Sequence, residues 1–127
     1  MLRFFVPWEL LCSDNRKYVK GYILSKQYRA AKEGLAAWSK AAATDAGWVL
    51  TEAPLSIRWV VTEPDKRRRD LSFSKQTKDA ITLGGAIWLD DNQVRDEHFL
   101  FEDTPSKANA GAWCSIAKLG GLPEFLW

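Results

Sequence analysis

One segment of the 127-residue chain alternates apolar and polar side chains more regularly than the rest. In the run Leu55-Ser56-Ile57-Arg58-Trp59-Val60-Val61, apolar residues occupy every second position and partly polar residues lie between them. Successive side chains of a β-strand point to opposite faces, so this period of two predicts a strand with one buried face. Pro54 precedes the run and Pro64 follows it, which limits the strand at both ends. The chain is therefore expected to contain a β-sheet.

Two further segments show the three- and four-residue spacing of apolar residues that is typical of amphipathic helices. The first helix is predicted from Lys26 to about Ala43, with Ser25 as its N-cap. The second begins near Ser72 or Ser74 and ends at the Gly84-Gly85 pair. The apolar stripes expected to face the core are Tyr28, Ala31, Leu35, Trp38 and Ala42 on the first helix, and Phe73, Thr77, Ala80 and Ile81 on the second.

Runs rich in β-branched and aromatic residues predict the other strands. They are Leu2–Trp8, Tyr18–Leu24 as a short strand or extended loop, Val94–Glu102 and Ala112–Leu119. The segment Cys12–Arg16 is predicted to be a turn.

Composition excludes several classes of protein. The two cysteines, Cys12 and Cys114, form no Cys-x-x-Cys pair, which argues against zinc-ribbon and thioredoxin-type motifs. Because His98 is the only histidine, a histidine-rich metal site is excluded. No apolar run approaches the roughly 20 residues that span a bilayer, and no signal peptide is evident. We therefore expect an intracellular, cytoplasmic protein with no membrane partner.

Charge is distributed unevenly along the chain. Residues 1–69 contain 13 Lys and Arg against 7 Asp and Glu, whereas residues 70–127 contain 5 against 9. A basic half attracts polyanions, and acidic clusters in the same small domain indicate bound cations or solvated loops. The combination favours a nucleic acid and a metal ion as partners.

Three acidic residues are candidates for a metal site. Asp70 precedes the second predicted helix, and Asp90-Asp91 follows it. A strand-helix-strand unit can return these residues to one edge of a sheet, where carboxylates suit Mg²⁺ or Mn²⁺. The alternative is structural, because Asp commonly caps helices and Asp-Asp-Asn is ordinary turn chemistry.

The basic run Lys66–Arg69 adjoins Asp70 and favours contact with phosphates, although such a run can equally be a solvated loop. Lys75 and Lys78 lie on the second predicted helix. A lysine there can stabilise charge that develops on a phosphate, or it can be an ordinary surface lysine.

These motifs together resemble the RusA family of Holliday junction resolvases. The specific part is a basic run that ends in Asp-Leu, a helix with Lys and Asp-Ala-aliphatic, and Trp-x-Asp-Asp-x-Gln-Val. In this chain they are Pro64–Leu71, Lys75 with Asp79-Ala80-Ile81, and Trp88–Val94. The opening Val6-Pro7-Trp8, the loop Ser13–Arg16 and Leu24-Ser25 with the helix after it also match the family.

The resemblance implies an α+β fold: one small domain over residues 1–127 with a mixed sheet and two main helices. It also implies that two copies form a homodimer. It implies a Mg²⁺-dependent endodeoxyribonuclease, with Mn²⁺ as an alternative ion, that resolves Holliday junctions or related branched DNA by paired strand cleavage. It also implies a bacterial cell as the setting, with phage or prophage genes as a frequent source. A dimer suits this substrate, since a junction has two equivalent strands to cut.

The resemblance also assigns roles to residues. Asp70, Asp91 and Lys75 are implied as catalytic, Lys75 after a deletion of one residue before it. The implied metal ligands are Asp70, Asp91, Asp90 and Ser72. The implied DNA contacts are Lys66, Arg67, Arg68, Arg69, Arg16 and Lys78.

One position departs from the family pattern. Where the family has Asp-Leu-Asp-Asn, this chain has Asp70-Leu71-Ser72-Phe73, so a neutral serine replaces a metal-binding carboxylate. The loss of one negative charge weakens a Mg²⁺ site, and Asp79 and Asp65 are the candidates to compensate. A second hypothesis is therefore a RusA-like protein that binds branched DNA without cutting it. A third is a dimeric interaction protein that has lost DNA binding.

Overall fold

The computed structural model describes residues 1–11, 18–19, 23–24, 26–66 and 73–123 of the chain. Within these ranges it has six strands, two helices and two short 3₁₀ turns. The strands are β1 Leu2–Pro7, β2 Tyr18–Val19, β3 Ile23–Leu24, β4 Leu55–Thr62, β5 Val94–Phe101 and β6 Gly111–Lys118. The helices are α1 Lys26–Asp45 and α2 Ser74–Gly84, and the turns are Trp8–Leu10 and Asp91–Gln93.

Four strands form a mixed sheet in the order β1-β6-β4-β5. β6 pairs antiparallel with both β1 and β4, whereas β5 runs parallel to β4. A parallel pair needs a crossover connection, and α2 provides it between β4 and β5. The mixed sheet with two main helices matches the architecture expected from the sequence. β2 and β3 form a separate antiparallel pair.

One face of the sheet packs against both helices and forms the core. The alternating residues of β4 are fully buried there, as the period of two predicts. They pack with inward residues of β1, β6 and α2, and the shared cluster includes Leu2, Phe4, Val6, Leu55, Ile57, Trp59, Val61, Ala80, Ile81, Cys114 and Ile116. Burial of this apolar surface is the main term that holds the helices on the sheet.

The other face of the sheet carries a row of apolar side chains, one from each strand. The register places Phe5 beside Trp113, Trp113 beside Val60, and Val60 beside Leu100. Trp113 is 44% exposed and Leu100 is 41% exposed. The adjacent row is Arg3, Ser115, Arg58 and His98. We call the surface formed by these two rows the open face.

α1 and α2 approach each other closely at Gly84. A Cβ atom at this position would lie 2.6 Å from the carbonyl oxygen of Ala36 and 3.1 Å from Oγ of Ser39. Only glycine permits this approach without a shift of one helix. The next residue, Gly85, has a φ of 70° and ends α2 in the left-handed conformation that favours glycine. The predicted end of α2 at this glycine pair is confirmed.

Some local predictions differ from the structure. Trp38 was expected in the core but is 43% exposed, because the buried side of α1 is centred on Leu35, Ser39 and Ala43. Its indole nitrogen donates to the carbonyl oxygen of Phe5. Strand β1 lies within the predicted run Leu2–Trp8 and ends at its proline, Pro7.

The segment predicted as one strand or loop over 18–24 contains the two short strands β2 and β3. The predicted turn Cys12–Arg16 and the predicted N-cap Ser25 both lie outside the described residues. In the described ranges, no helix combines the length and the apolar character needed to cross a bilayer.

Candidate active site

The turn between α2 and β5 presents two adjacent carboxylates. Asp90 has extended backbone angles and is the N-cap of the 3₁₀ turn that follows. Its Oδ1 accepts a hydrogen bond from the backbone nitrogen of Asn92 at 3.0 Å. Aspartate suits this position because its short side chain reaches the backbone nitrogen two residues further on. Asp90 thus shapes the turn in which Asp91 is the first residue.

The carboxylate of Asp91 meets a third acidic side chain, Asp79 of α2. Partial burial raises the pKa of Asp91, and a hydrogen bond with Asp90 and the charge of Asp79 raise it further. Carboxylates in contact disfavour each other's charged forms, and they are relieved by sharing a proton or by binding a cation. The edge between α2 and the turn is therefore suited to a positive ion.

The buried face of α2 explains why Asp79 lies at this edge. Thr77, Ala80 and Ile81 are buried, so Asp79 falls at the boundary between the core and solvent. Lys75 is exposed and comes four residues earlier. Residues four apart lie on the same side of a helix, so Lys75 and Asp79 share one side of α2.

The described carboxylates are the type of donor that Mg²⁺ prefers, but too few of them lie together to hold the ion. Asp79, Asp90 and Asp91 offer the hard oxygen donors that Mg²⁺ prefers. Across residues 1–66 and 73–123, apart from the short gaps before residue 26, no three His, Cys, Asp or Glu side chains are grouped to hold a metal ion. Asp70 and Ser72, the other metal ligands implied by the sequence, lie outside the described residues. A metal site here needs a further ligand from another part of the chain.

Lys78 does not lie on a free basic surface, although the sequence suggested that it contacts DNA. Its ammonium nitrogen lies 3.2 Å from Oε1 of Glu97, and the two side chains are only 18% and 17% exposed. Glu97 also accepts hydrogen bonds from Ser74 Oγ at 2.7 Å and from Trp59 Nε1 at 3.0 Å. Lys78 therefore helps to join α2 to β5 and β4. The DNA contact that the resemblance implies for this lysine stays a prediction.

The other basic residues implied as DNA contacts are mostly outside the described part. Lys66 is exposed after the end of β4. Arg16, Arg67, Arg68 and Arg69 lie outside the described residues.

Two other reactive side chains lie away from this edge. His98 is on the open face, where its Nε2 lies 2.7 Å from Oδ1 of Asp96. Cys114 is fully buried in the core, and burial raises the pKa of its thiol well above the ordinary range. Burial and a high pKa both oppose a nucleophilic role for this cysteine.

Sequence reasoning gave no role to Glu97 or Gln93. For Glu97 a signal existed, because the register puts it on the core-facing side of β5 with Phe99 and Phe101. An acidic residue in such a position needs a buried partner. Gln93 was visible in the Trp-x-Asp-Asp-x-Gln-Val motif, but its contacts depend on a segment about 40 residues earlier.

Comparison with known proteins identifies relatives over most of the chain. No protein-family model matches it. A crossover junction endodeoxyribonuclease, RusA, of Enterobacteria phage 82 is 38% identical over 95 residues, which cover 72% of this chain and 74% of the relative. The protein of the same name from Escherichia coli strain K12 is 39% identical over the same shares of both chains. That from Shigella sonnei strain Ss046 is 38% identical, again over 72% and 74%. At this identity and coverage, the chain belongs to the RusA family of crossover junction endodeoxyribonucleases.

Proposed function

We propose that this protein is a Mg²⁺-dependent, structure-selective endodeoxyribonuclease that resolves Holliday junctions or related branched DNA by paired strand cleavage. The observation that carries the proposal is the 38–39% identity to proteins named RusA crossover junction endodeoxyribonuclease. The three neighbouring carboxylates of Asp79, Asp90 and Asp91 support it. These carboxylates repel one another unless a proton or a cation lies among them. A divalent cation held there can neutralise charge on a phosphodiester and activate the water that attacks it.

The metal ligands in this proposal come from the segments before and after α2 in the sequence. Asp91 and Asp70 hold the ion directly, and Ser72 completes its surroundings directly or through water. Asp90 supports the site by capping the turn that carries Asp91. We assign to Asp79 the negative charge that Ser72 does not provide, because Asp79 already contacts Asp91.

The chemistry supplied by bound Mg²⁺ is neutralisation of phosphate charge and activation of the attacking water. Mn²⁺ can replace it because it accepts the same oxygen donors. The protein's own part is to orient the scissile phosphate. Lys75 is exposed on the Asp79 side of α2, and there it is suited to stabilise the charge that develops on the phosphate during cleavage.

Binding of four-way or branched DNA is assigned to the basic run Lys66–Arg69 together with Arg16. Four adjacent cations bind a phosphate backbone with release of counterions. Lys66, the described member of the run, is exposed.

The homodimer in this proposal forms through the open face. Its apolar row, Phe5, Trp113, Val60 and Leu100, runs across all four strands. Arg3 and Arg58 lie on this face, and Asp96 lies next to its residue His98 on the same side of β5. A two-fold axis can bring the basic side of one copy onto the acidic side of the other.

The molar mass from light scattering, measured as the protein elutes from a size-exclusion column, tests the dimer. Leu100→Lys, in an edge strand, should give a monomer, whereas Leu83→Lys, at an exposed leucine of α2, should leave a dimer. A wild-type monomer, or a dimer that survives Leu100→Lys, contradicts the use of this face.

Cleavage of a synthetic four-way junction, with linear duplex as control, tests the function over a range of Mg²⁺ and Mn²⁺ concentrations. The expected result is paired, symmetric nicks in the junction only. Asp91→Asn should abolish the nicks and leave junction binding intact. The matched control is Asp103→Asn, at an exposed aspartate beyond the other end of β5. Loss of binding together with cutting in a folded Asp91→Asn protein argues against the assigned role.

A second candidate function follows from Ser72. A RusA-like protein with a weakened site can bind branched DNA without cutting it. Its junction complex should depend strongly on salt and be indifferent to divalent metal. A stable complex with no nicks at any metal concentration supports this function, and no salt-dependent DNA binding at all indicates a protein that has kept only the fold.

A further inference from the structure

The side-chain amide of Gln93 holds the turn that carries the two adjacent aspartates. Its Oε1 accepts hydrogen bonds from the backbone nitrogens of Leu89 at 2.8 Å and Asp90 at 3.0 Å. Its Nε2 donates to the carbonyl oxygens of Thr51 at 2.8 Å and Ala53 at 3.1 Å. A glutamine amide has two acceptor positions and two donor hydrogens, so all four are used.

These four bonds connect two irregular segments. One is the turn before β5, and the other is the stretch between α1 and β4 that contains Thr51 and Ala53. Leu89 and Asp90 are both exposed, so packing alone fixes the turn only weakly. Gln93 ties this turn to the segment that leads directly into β4.

A separate set of contacts anchors the chain just before the turn. Trp48 Nε1 and the backbone nitrogen of Thr51 both donate to the carbonyl oxygen of Ile87, at 3.0 and 3.4 Å. Ile87 and Trp88 are also fully buried. Loss of the Gln93 amide should therefore loosen Leu89–Asp91 without releasing the core residues that precede them.

We propose that Gln93 is a positioning residue that sets how tightly the Asp79–Asp91 site binds a divalent cation. The proposal rests on the proposed function. Gln93 acts through the backbone of Leu89 and Asp90, which fixes where the carboxylate of Asp91 lies relative to Asp79. Groups that orient metal ligands without touching the metal typically change affinity or activity by about 10- to 100-fold when they are removed.

Three variants separate positioning from general stability. Gln93→Met keeps the length of the side chain and removes all four hydrogen bonds. Gln93→Glu keeps the acceptor atoms but loses both donors to Thr51 and Ala53. Gln27→Met, at an exposed glutamine of α1, is the matched control for the same chemical change.

The first measurement is Mn²⁺ binding to the protein without DNA, by calorimetry. We expect Gln93→Met to bind Mn²⁺ about 10-fold or more weakly than wild type. In Gln93→Glu a carboxylate oxygen faces the carbonyl oxygens of Thr51 and Ala53, so the turn should loosen there too. Gln27→Met should match wild type. Junction binding in the absence of metal should stay within about twofold in all variants, because the phosphate contacts are elsewhere.

The second measurement is amide hydrogen exchange at Leu89 and Asp90. Exchange should speed up in Gln93→Met and stay slow in Gln27→Met, which shows that the turn itself has been released. Faster exchange with unchanged Mn²⁺ affinity overturns the proposal. If the wild-type protein binds no Mn²⁺, the proposed function and this inference are both overturned. If wild type and Gln93→Met bind Mn²⁺ equally well, only the inference is overturned.

Discussion

Replacing Glu97 tests whether the three elements around the candidate site are joined by one carboxylate. Glu97 accepts hydrogen bonds from Trp59 on β4 and Ser74 on α2, and it pairs with Lys78 on α2. Alanine at this position removes all three interactions. The three partners, Trp59, Ser74 and Lys78, differ in how well water can replace Glu97, and this difference sets how much folding stability is lost.

The indole nitrogen of Trp59 loses most, because this tryptophan is fully buried and cannot turn toward solvent. An unsatisfied buried donor costs about 1–3 kcal/mol of folding stability. The partly exposed ion pair with Lys78 adds about 1 kcal/mol at most. The free energy of unfolding of Glu97→Ala should therefore fall by about 3 kcal/mol in all. For a chain of this length the midpoint of thermal unfolding should fall by about 10 °C.

Urea unfolding followed by tryptophan fluorescence and circular dichroism measures this loss. Glu97→Gln keeps one acceptor oxygen and should lose about half as much. A double-mutant cycle of Glu97→Gln with Lys78→Met should give a coupling energy of about 0.5–1 kcal/mol. Glu102→Ala, at an exposed glutamate just beyond the same strand, is the control and should change stability by less than about 0.5 kcal/mol.

A Glu97→Ala protein as stable as the Glu102→Ala control would refute this reasoning. Such a result means that Trp59 finds another acceptor, or that the three interactions contribute nothing net. A large loss in Glu97→Ala with no coupling to Lys78 would refute the ion pair alone.

Three further predictions concern single side chains. The pKa of Asp91 is raised in the folded protein, so its protonated form favours folding; this contribution is present at low pH and is lost as pH rises through that pKa. Metal-free Asp91→Asn should therefore be more stable than wild type at neutral pH. Denaturation curves should show that this difference shrinks as the pH is lowered. Lys66→Met should lower the slope of log junction affinity against log salt by about 0.9, whereas Lys78→Met should leave it unchanged, by fluorescence anisotropy; equal effects contradict the pairing of Lys78. In a Cys12→Ser background, Cys114 should react with a thiol reagent only after unfolding, because burial raises its pKa and blocks access; rapid labelling of native protein would show that this part of the core opens.

Much of the fold could be predicted because its signals are local. The alternation in β4 and the glycine pair at the end of α2 each depend on a few neighbouring residues, and both predictions are confirmed. The exposure of Trp38 could not be predicted, because it depends on how far α1 is rotated about its axis against the sheet. A stripe of spaced apolar residues leaves that rotation uncertain by about one position.

The candidate site divides in the same way. Asp90 and Asp91 were predicted from motif and spacing, and the structure places both in the turn before β5. Asp79 was a candidate to compensate for Ser72, but its contact with Asp91 could not be predicted. The pairing of Lys78 with Glu97 could not be predicted either. Each pair joins residues of different elements, so it depends on how α2 lies against the turn before β5 or against β5 itself, which no local pattern encodes.

The position of β6 in the sheet affects how the chain is made. β6 lies between β1 and β4, yet it is the last described strand to leave the ribosome. At typical rates of synthesis, the roughly 100 residues between β1 and β6 take about 5–20 s to produce, during which β1 has no strand to pair with. A nascent chain that stops before Gly111 lacks the strand that pairs with β1 and with one edge of β4, whose other edge still pairs with β5. Premature termination there removes the middle of the sheet rather than its edge, and it leaves two apolar strands open to chaperones and proteases.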